Sequence, residues 1–306
     1  MATVTAAMVK ELREKTGAGM LDCKKALEST DGDIENAVDF LRKKGLAAAE
    51  KKAGRVAAEG IVLAKVSDDG RQAVLIEVNS ETDFVARNDK FVDFVEQVAD
   101  LIAAERPESV EALLALGMPG TDGLNVAQAL SQLIATIGEN MSIRRFTLIE
   151  TEGDGYVGAY VHNGRHGVLV ELNGMANGGN EAVGQAARDV AMQVVAARPK
   201  YATRKDVPSE DLERERAVLS ERAATSGKPE AIIAKIVEGQ LNKFYQDFCL
   251  LDQAFIKDSD KSVAQMLQAV EKGLGLAQFV SYELGEGIEK QETNFAEEVM
   301  SQVKKG

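Results

Sequence analysis

The chain has no tryptophan, two cysteines, two histidines and five prolines in 306 residues, and aromatic side chains make up only 5% of it. The two cysteines, Cys23 and Cys249, lie far apart with no CxxC spacing and no histidine-rich segment beside them, which argues against a disulfide framework or a zinc site. Both read as small buried hydrophobes. Long apolar runs are also missing: the longest, such as 112–116 and 46–49, fall far short of the roughly 20 residues a membrane span needs. The opening MATVTAAMVKELREK has no apolar core of the kind a signal peptide carries, so a cytoplasmic protein is expected, with no membrane contact. Positive charge is in deficit, 36 Lys and Arg against 49 Asp and Glu, for a net of −13. Nucleic acid is therefore not expected as the main ligand, because neutralising phosphates takes a surplus of cations. Residues 1–55 depart from this balance with 11 cationic against 9 anionic side chains. Their cations bunch at Arg42, Lys43, Lys44, Lys51, Lys52 and Arg55; a solvated linker helix is the plainer reading, a contact with an acidic partner or RNA the other.

What is present suits an ordinary globular chain of about two domains, with 45% hydrophobic and 28% charged residues. Residues 1–54 read as a three-helix module with a connector. Thr5 can cap the first helix, which stops at Gly17-Ala18-Gly19; the second covers 20–28; the third follows Asp31-Gly32-Asp33 and shows Ile34, Ala37, Val38 and Leu41 at helical spacing. Residues 46–58, rich in Ala and Lys, read as a helical or flexible connector.

The body of the chain repeats itself at an offset of 94. RQAVLIEVN at 71–79 matches RHGVLVELN at 165–173, with eight of nine positions identical or exchanged between small or aliphatic residues. Each copy is preceded by a second strand candidate and a turn, Asp68-Asp69-Gly70 or Asn163-Gly164, which makes each a β-hairpin. Each is followed by a helix ending in Ala-x-Arg-Pro and, later, by one more strand at 141–150 or 276–284. The fold class predicted is α+β: core subdomains at 55–150 and 151–285, each a small sheet with helices on one face. Within the second lies an inserted helical hairpin at 206–248, with Leu212, Leu219 and Ala223 facing Ile233, Ile236, Val237, Leu241, Phe244 and Phe248. A C-terminal helical module at 286–306 follows, with Asn294 as cap and Phe295, Val299 and Val303 on one face.

Enzymatic constellations are not found. Gly227-Lys228 lacks the upstream glycine and following Ser or Thr of a P-loop, and NGMANGGN at 173–180 lacks GxGxxG spacing, so no nucleotide cofactor is expected. His162 and His166 flank a hairpin turn with no nucleophile or carboxylate pair nearby and read as surface histidines or partner contacts. The two copies disagree after Asn79. The first continues Ser80-Glu81-Thr82-Asp83-Phe84-Val85, the second Gly174-Met175-Ala176-Asn177-Gly178-Gly179, so one offers a carboxylate and a ring where the other offers Asn and Gly. Spacing alone favours Asp83 as a turn cap and Phe84 tucked into the core; the alternative is an exposed wedge.

With these segments in place, the chain resembles the elongation factor Ts family along its length. VKELREKTGAGMLDCKKAL at 9–27 is similar to the family's first signature and EVNSETDFV at 77–85 to its second, while GENMSIRR at 138–145 and SGKP at 226–229 also fit. Departures are mild: Leu21 stands where many members carry a second Met. The resemblance implies an N-terminal module like a ubiquitin-associated domain, a two-subdomain core, an inserted coiled coil and a C-terminal module. It implies no bond chemistry and no cofactor. Elongation factor Tu, GDP-bound and nucleotide-free, is the implied partner, and a homodimer stays open. Thr82, Asp83, Phe84 and Val85 are implied to displace the magnesium ion from that partner's nucleotide site, which reverses the reading of Phe84 as a core residue. Arg13, Met20 and Leu21, with His162 and His166, are expected to contact the partner. The rival reading is a cytoplasmic enzyme with its cleft between the core halves, for which the sequence offers no cluster of titratable groups.

Overall fold

A computed structural model describes residues 4–121, 123–176, 181–225 and 229–289. Among the described residues the contacts fall into two compact units: 4–62 with Ile76–Phe146 and 283–289, and Leu63–Leu75 with Thr147–Tyr282.

In the first unit, α1 (Ala6–Thr16) starts where the extended Thr5 accepts the Met8 N–H on its hydroxyl at 3.3 Å. It ends at Gly17, whose φ of 65° is the left-handed cap conformation that glycine adopts without penalty. Helix α2 (Met20–Ser29) follows, and Asp33 caps α3 (Ile34–Lys52) by accepting the Asn36 N–H at 2.9 Å. Leu12, Cys23, Ala26, Leu27 and Ala37 close a small core among the three helices. The predicted connector is helical as far as Lys52, because α3 runs on past the module.

Strands β1 (Glu59–Val66) and β2 (Gln72–Ser80) form the first hairpin. A 3-10 turn at Val85–Arg87 leads into α4 (Asp89–Glu105), and α5 (Val110–Ala115) and α6 (Val126–Ile137) precede β3 (Met141–Glu150), giving the sheet order β1-β2-β3. Helix α3 packs on α6, with Gly45 facing the backbone at Ser131 and Gln132.

The second copy repeats the plan. Strands β4 (Tyr156–His162) and β5 (His166–Asn173) pair antiparallel from Tyr156↔Leu172 to His162↔His166, α7 (Glu181–Ala197) follows, and the last strand again joins the second hairpin strand. Helices α4 and α7 both stop on an arginine with positive φ, Arg106 at 52° and Arg198 at 47°, each directly before a proline that bars the α conformation. Val168, Val170 and Leu172 of β5 pack on Val183, Val190 and Val194 of α7. Gly158 on β4 lies so near that helix that an added Cβ would sit 2.5 Å from the Ala187 methyl.

The predicted helical hairpin is α8 (Ser209–Ala224) and α9 (Glu230–Phe248), zipped by Leu219, Ala223, Val237 and Leu241. At its base Arg204 pairs with Asp252 at 2.7 Å and stacks over Tyr245 at 4.6 Å. A two-stranded ribbon, β6 (Ala254–Phe255) and β7 (Asp258–Ser262), then α10 (Val263–Val270) and β8 (Gly275–Glu283) complete the order β4-β5-β8. The helix expected near the C-terminus, with Asn294, Phe295, Val299 and Val303, lies outside the described residues, as do Asn177 to Gly179 and the hairpin tip at 226–228.

Candidate functional site

The loop leaving β2 presents Phe84 to solvent. The residue is 81% exposed, which overturns the expectation from spacing that it would sit in the core. Asp83 beside it is also exposed, whereas Val85 is 4% exposed and pins the far side of the loop. On the near side, Thr82 donates its N–H to Glu139 Oε2 at 2.9 Å and its hydroxyl to Glu139 Oε1 at 2.7 Å. The Ser80 hydroxyl donates to the Thr82 carbonyl at 2.9 Å. Glu81 accepts the Asn140 N–H at 2.5 Å and pairs with Arg55 at 3.4 Å, and the Asn140 side chain in turn donates to the Arg55 carbonyl at 2.7 Å. The loop is thus fastened to the turn before β3, and one large apolar group stands clear of the fastening.

Immediately before the loop, β2 carries a wholly buried carboxylate. Glu77 accepts Arg144 Nη1 at 2.9 Å, Arg145 Nε at 2.6 Å, the Gly285 N–H at 2.8 Å and the Asn79 amide at 3.2 Å. Burial alone would push its pKa up, but the Gly285 amide, the two guanidiniums and Asn79 outweigh it and hold the carboxyl below its ordinary value. Gly285 takes a φ of 70°, and an added Cβ would lie 2.4 Å from the Ala58 carbonyl oxygen, so only glycine fits this clamp. In the second copy, the equivalent Glu171 has no arginine opposite it in this arrangement; it accepts the Gln278 amide at 2.7 Å on the sheet surface.

The N-terminal module offers a second surface. Met20 is 61% and Leu21 75% exposed, and both line an apolar groove of about 610 Å³ between α1 and α2. Val4 and Val9 lie in it, and Lys10, Arg13 and Lys24 supply its cations. Lys44, from the cationic bunch, is partly spent on Asp22 at 2.6 Å.

His162 is exposed at the end of β4, with Nδ1 2.9 Å from the Tyr160 hydroxyl and Nε2 3.2 Å from the Asn163 amide. His166, directly across the ladder, is half-buried, its Nε2 2.8 Å from the Ser281 hydroxyl. Both cysteines are buried and free, and burial pushes the Cys249 thiol up to about 11, too high for a reactive thiolate. Among the described residues no group of three or more His, Cys, Asp and Glu could hold a metal, and no helix is long and apolar enough to cross a membrane.

Glu139, Asn140 and Glu77 were not singled out by sequence reasoning as parts of the site. The GENMSIRR stretch supplies Glu139, Asn140, Arg144 and Arg145, but its pairing with 77–82 spans about sixty residues and has no local signature.

The duplicated α+β core thus carries a pinned loop that holds out one aromatic ring, and the N-terminal module carries a separate apolar groove. The family model described as Elongation factor TS matches residues 81–286. Elongation factor Ts of Trichlorobacter lovleyi is 52% identical over 303 residues, covering 97% of each chain. Elongation factor Ts of Alkalilimnicola ehrlichii is 50% identical over 301 residues, 98% of this chain and 99% of its own. That of Rhodospirillum rubrum is 50% identical over 315 aligned positions spanning both chains entirely. The chain belongs to the elongation factor Ts family.

Proposed function

We propose that this translation elongation factor is a guanine-nucleotide exchange factor: it binds elongation factor Tu carrying GDP, promotes GDP release in the cytoplasm, and makes or breaks no covalent bond. The observation that carries the reading is Phe84, 81% exposed on a loop held at both ends. Burying the Phe84 ring in a partner is worth roughly 1.5–3 kcal/mol. Asp83 accompanies the ring with a carboxylate at the same exposed corner.

A nucleoside diphosphate on a P-loop protein is held by backbone N–H groups and by Mg²⁺, the largest local charge in such a site. A ring wedged beside that site, with a carboxylate next to it, stabilises a partner conformation in which the ion and phosphates lose ligands. Thr82 and Val85 hold the wedge in place. The groove with Arg13, Met20 and Leu21, and the hairpin end with His162 and His166, contribute affinity in this reading. Coupling between ligands is reciprocal, so GDP and GTP must weaken this chain's grip as much as it weakens theirs. A coupling of ~3 kcal/mol would change either affinity by roughly 150-fold.

The test is release of labelled GDP preloaded on elongation factor Tu, with unlabelled nucleotide in excess. Acceleration that rises with the concentration of this chain and saturates is the expected result. Release at the intrinsic rate at every concentration would sink the reading.

A further inference from the structure

The Phe84 loop is not held by its own strand alone. Glu139 lies 57 positions away in sequence, in the turn between Gly138 and β3, and its two carboxylate oxygens take the two polar hydrogens of one residue, Thr82 N–H at 2.9 Å and Thr82 O–H at 2.7 Å. A two-point bond fixes orientation as well as distance, and a carboxylate acceptor makes each bond stronger than a neutral one. Thr82 is two residues before Phe84, and Val85, one residue after it, is buried. The ring is therefore held between two anchored positions.

The second copy shows which part of this latch came with the fold. There the Ala176 N–H, at the position equivalent to Thr82, donates to Glu271, which lies in the turn leading to β8. A carboxylate capturing that backbone amide is thus common to both copies. Ala176 has no hydroxyl, so the second point of attachment exists only in the copy whose loop carries a carboxylate and a ring. The added bond goes with the exposed ring: only the copy that presents a ring and a carboxylate has it.

We infer that Glu139 is a positioning residue, which holds Phe84 in its presented orientation through Thr82 before any partner arrives; the inference rests on the exchange reading above. A loop already ordered in the free protein spares the ordering cost on contact. A loop that samples several orientations engages the partner through its other surfaces but places the ring productively in only a fraction of complexes. Loss of the latch should then lower the exchange rate at saturation far more than it lowers affinity.

The experiment uses the full chain in three variants, Glu139→Ala, Glu139→Gln and Thr82→Val, with Phe84→Ala as reference. For Glu139→Ala, which removes both bonds, the saturating GDP-release rate is expected to fall by at least roughly tenfold, the worth of a single charge-assisted hydrogen bond, with half-saturation changed by less than about threefold. Glu139→Gln retains an acceptor for the Thr82 N–H and a second polar atom for the hydroxyl, and should recover most of the rate. Combining Glu139→Ala with Thr82→Val should be no worse than Glu139→Ala alone, because both act through one contact. In the free protein, amide exchange at Thr82 and Arg87 should quicken in Glu139→Ala. A normal saturating rate for Glu139→Ala and Thr82→Val, while Phe84→Ala is slow, would overturn the positioning role and leave the exchange reading standing. Normal rates for all of them, Phe84→Ala included, would overturn both. Additive losses in the double variant would also overturn the latch, even if Glu139→Ala alone folded poorly.

Discussion

Glu77 on β2 and Arg145 on β3 form an ion pair, Oε2 to Nε at 2.6 Å, with the carboxylate wholly buried and the guanidinium partly open to water. Arg144, the Gly285 N–H and the Asn79 amide complete its shell. A buried charge satisfied this fully contributes little net stability relative to an apolar core, but removing one partner strands the others. It also fixes how β2 lies against β3, and the Phe84 loop leaves β2 three residues further on.

The first prediction concerns this cluster. Glu77→Ala should lower unfolding free energy by about 3–5 kcal/mol in urea titrations near neutral pH, since it leaves two guanidiniums facing a buried void. The folded carboxyl is held below its ordinary value of 4.5. Its contribution is therefore fully present above that value and fades as pH falls through the depressed folded value. The stability gap between the natural chain and Glu77→Gln should accordingly narrow in acid; a gap that is constant or widens below 4.5 would contradict the assigned direction.

Phe84→Ala should leave the thermal midpoint nearly unchanged, with stability within about 0.5 kcal/mol, because an exposed side chain away from caps and cores has little to lose. GDP release from elongation factor Tu should slow at saturation. A large drop in midpoint would return Phe84 to the core.

Leu21→Lys and Met20→Lys test the N-terminal groove without touching its packing, as both side chains are more than half exposed. Half-saturation should rise by roughly one to two orders of magnitude, the worth of an interface anchor, with the saturating rate preserved. Point substitution suits this module better than deletion of 1–54, because α3 packs on α6 and deletion would uncover that face. Unchanged affinity would remove the groove from the interface.

The two histidines should behave differently from each other. His162→Ala affects only exposed contacts, so any change should appear in affinity. His166→Ala also breaks the bond to Ser281 and should cost about 1 kcal/mol of stability. The double exchange Asp83→Asn with Phe84→Gly, copying the second half, should depress the saturating rate instead. Equal losses of saturating rate from the histidine and loop variants would show that the halves do not divide the work.

Much of the fold was legible because its signals are local. Thr5 and Asp33 announced helix starts, Asn163-Gly164 a hairpin turn, and the match of 71–79 with 165–173 a duplication. Helices α6 and α10 escaped notice although both open on a capping box, Asn125 with Gln128 and Ser262 with Gln265. The candidate loop was visible as a place where the copies differ, but spacing put Phe84 inside, and only the family resemblance argued for the surface.

Residue order was sufficient for the helices, hairpins, duplication and family, since hydrophobic period, caps and turn residues act within a few positions of one another. Whether a ring at the end of a strand faces core or water depends on what lies across from it, and here that is decided by β3 and the turn before it. Glu139 reaches Thr82, and Arg145 reaches Glu77, only once chain closure over 57 and 68 residues has laid β3 beside β2. No periodicity encodes such a meeting; the packed sheet sets it, and with it the exposure of Phe84.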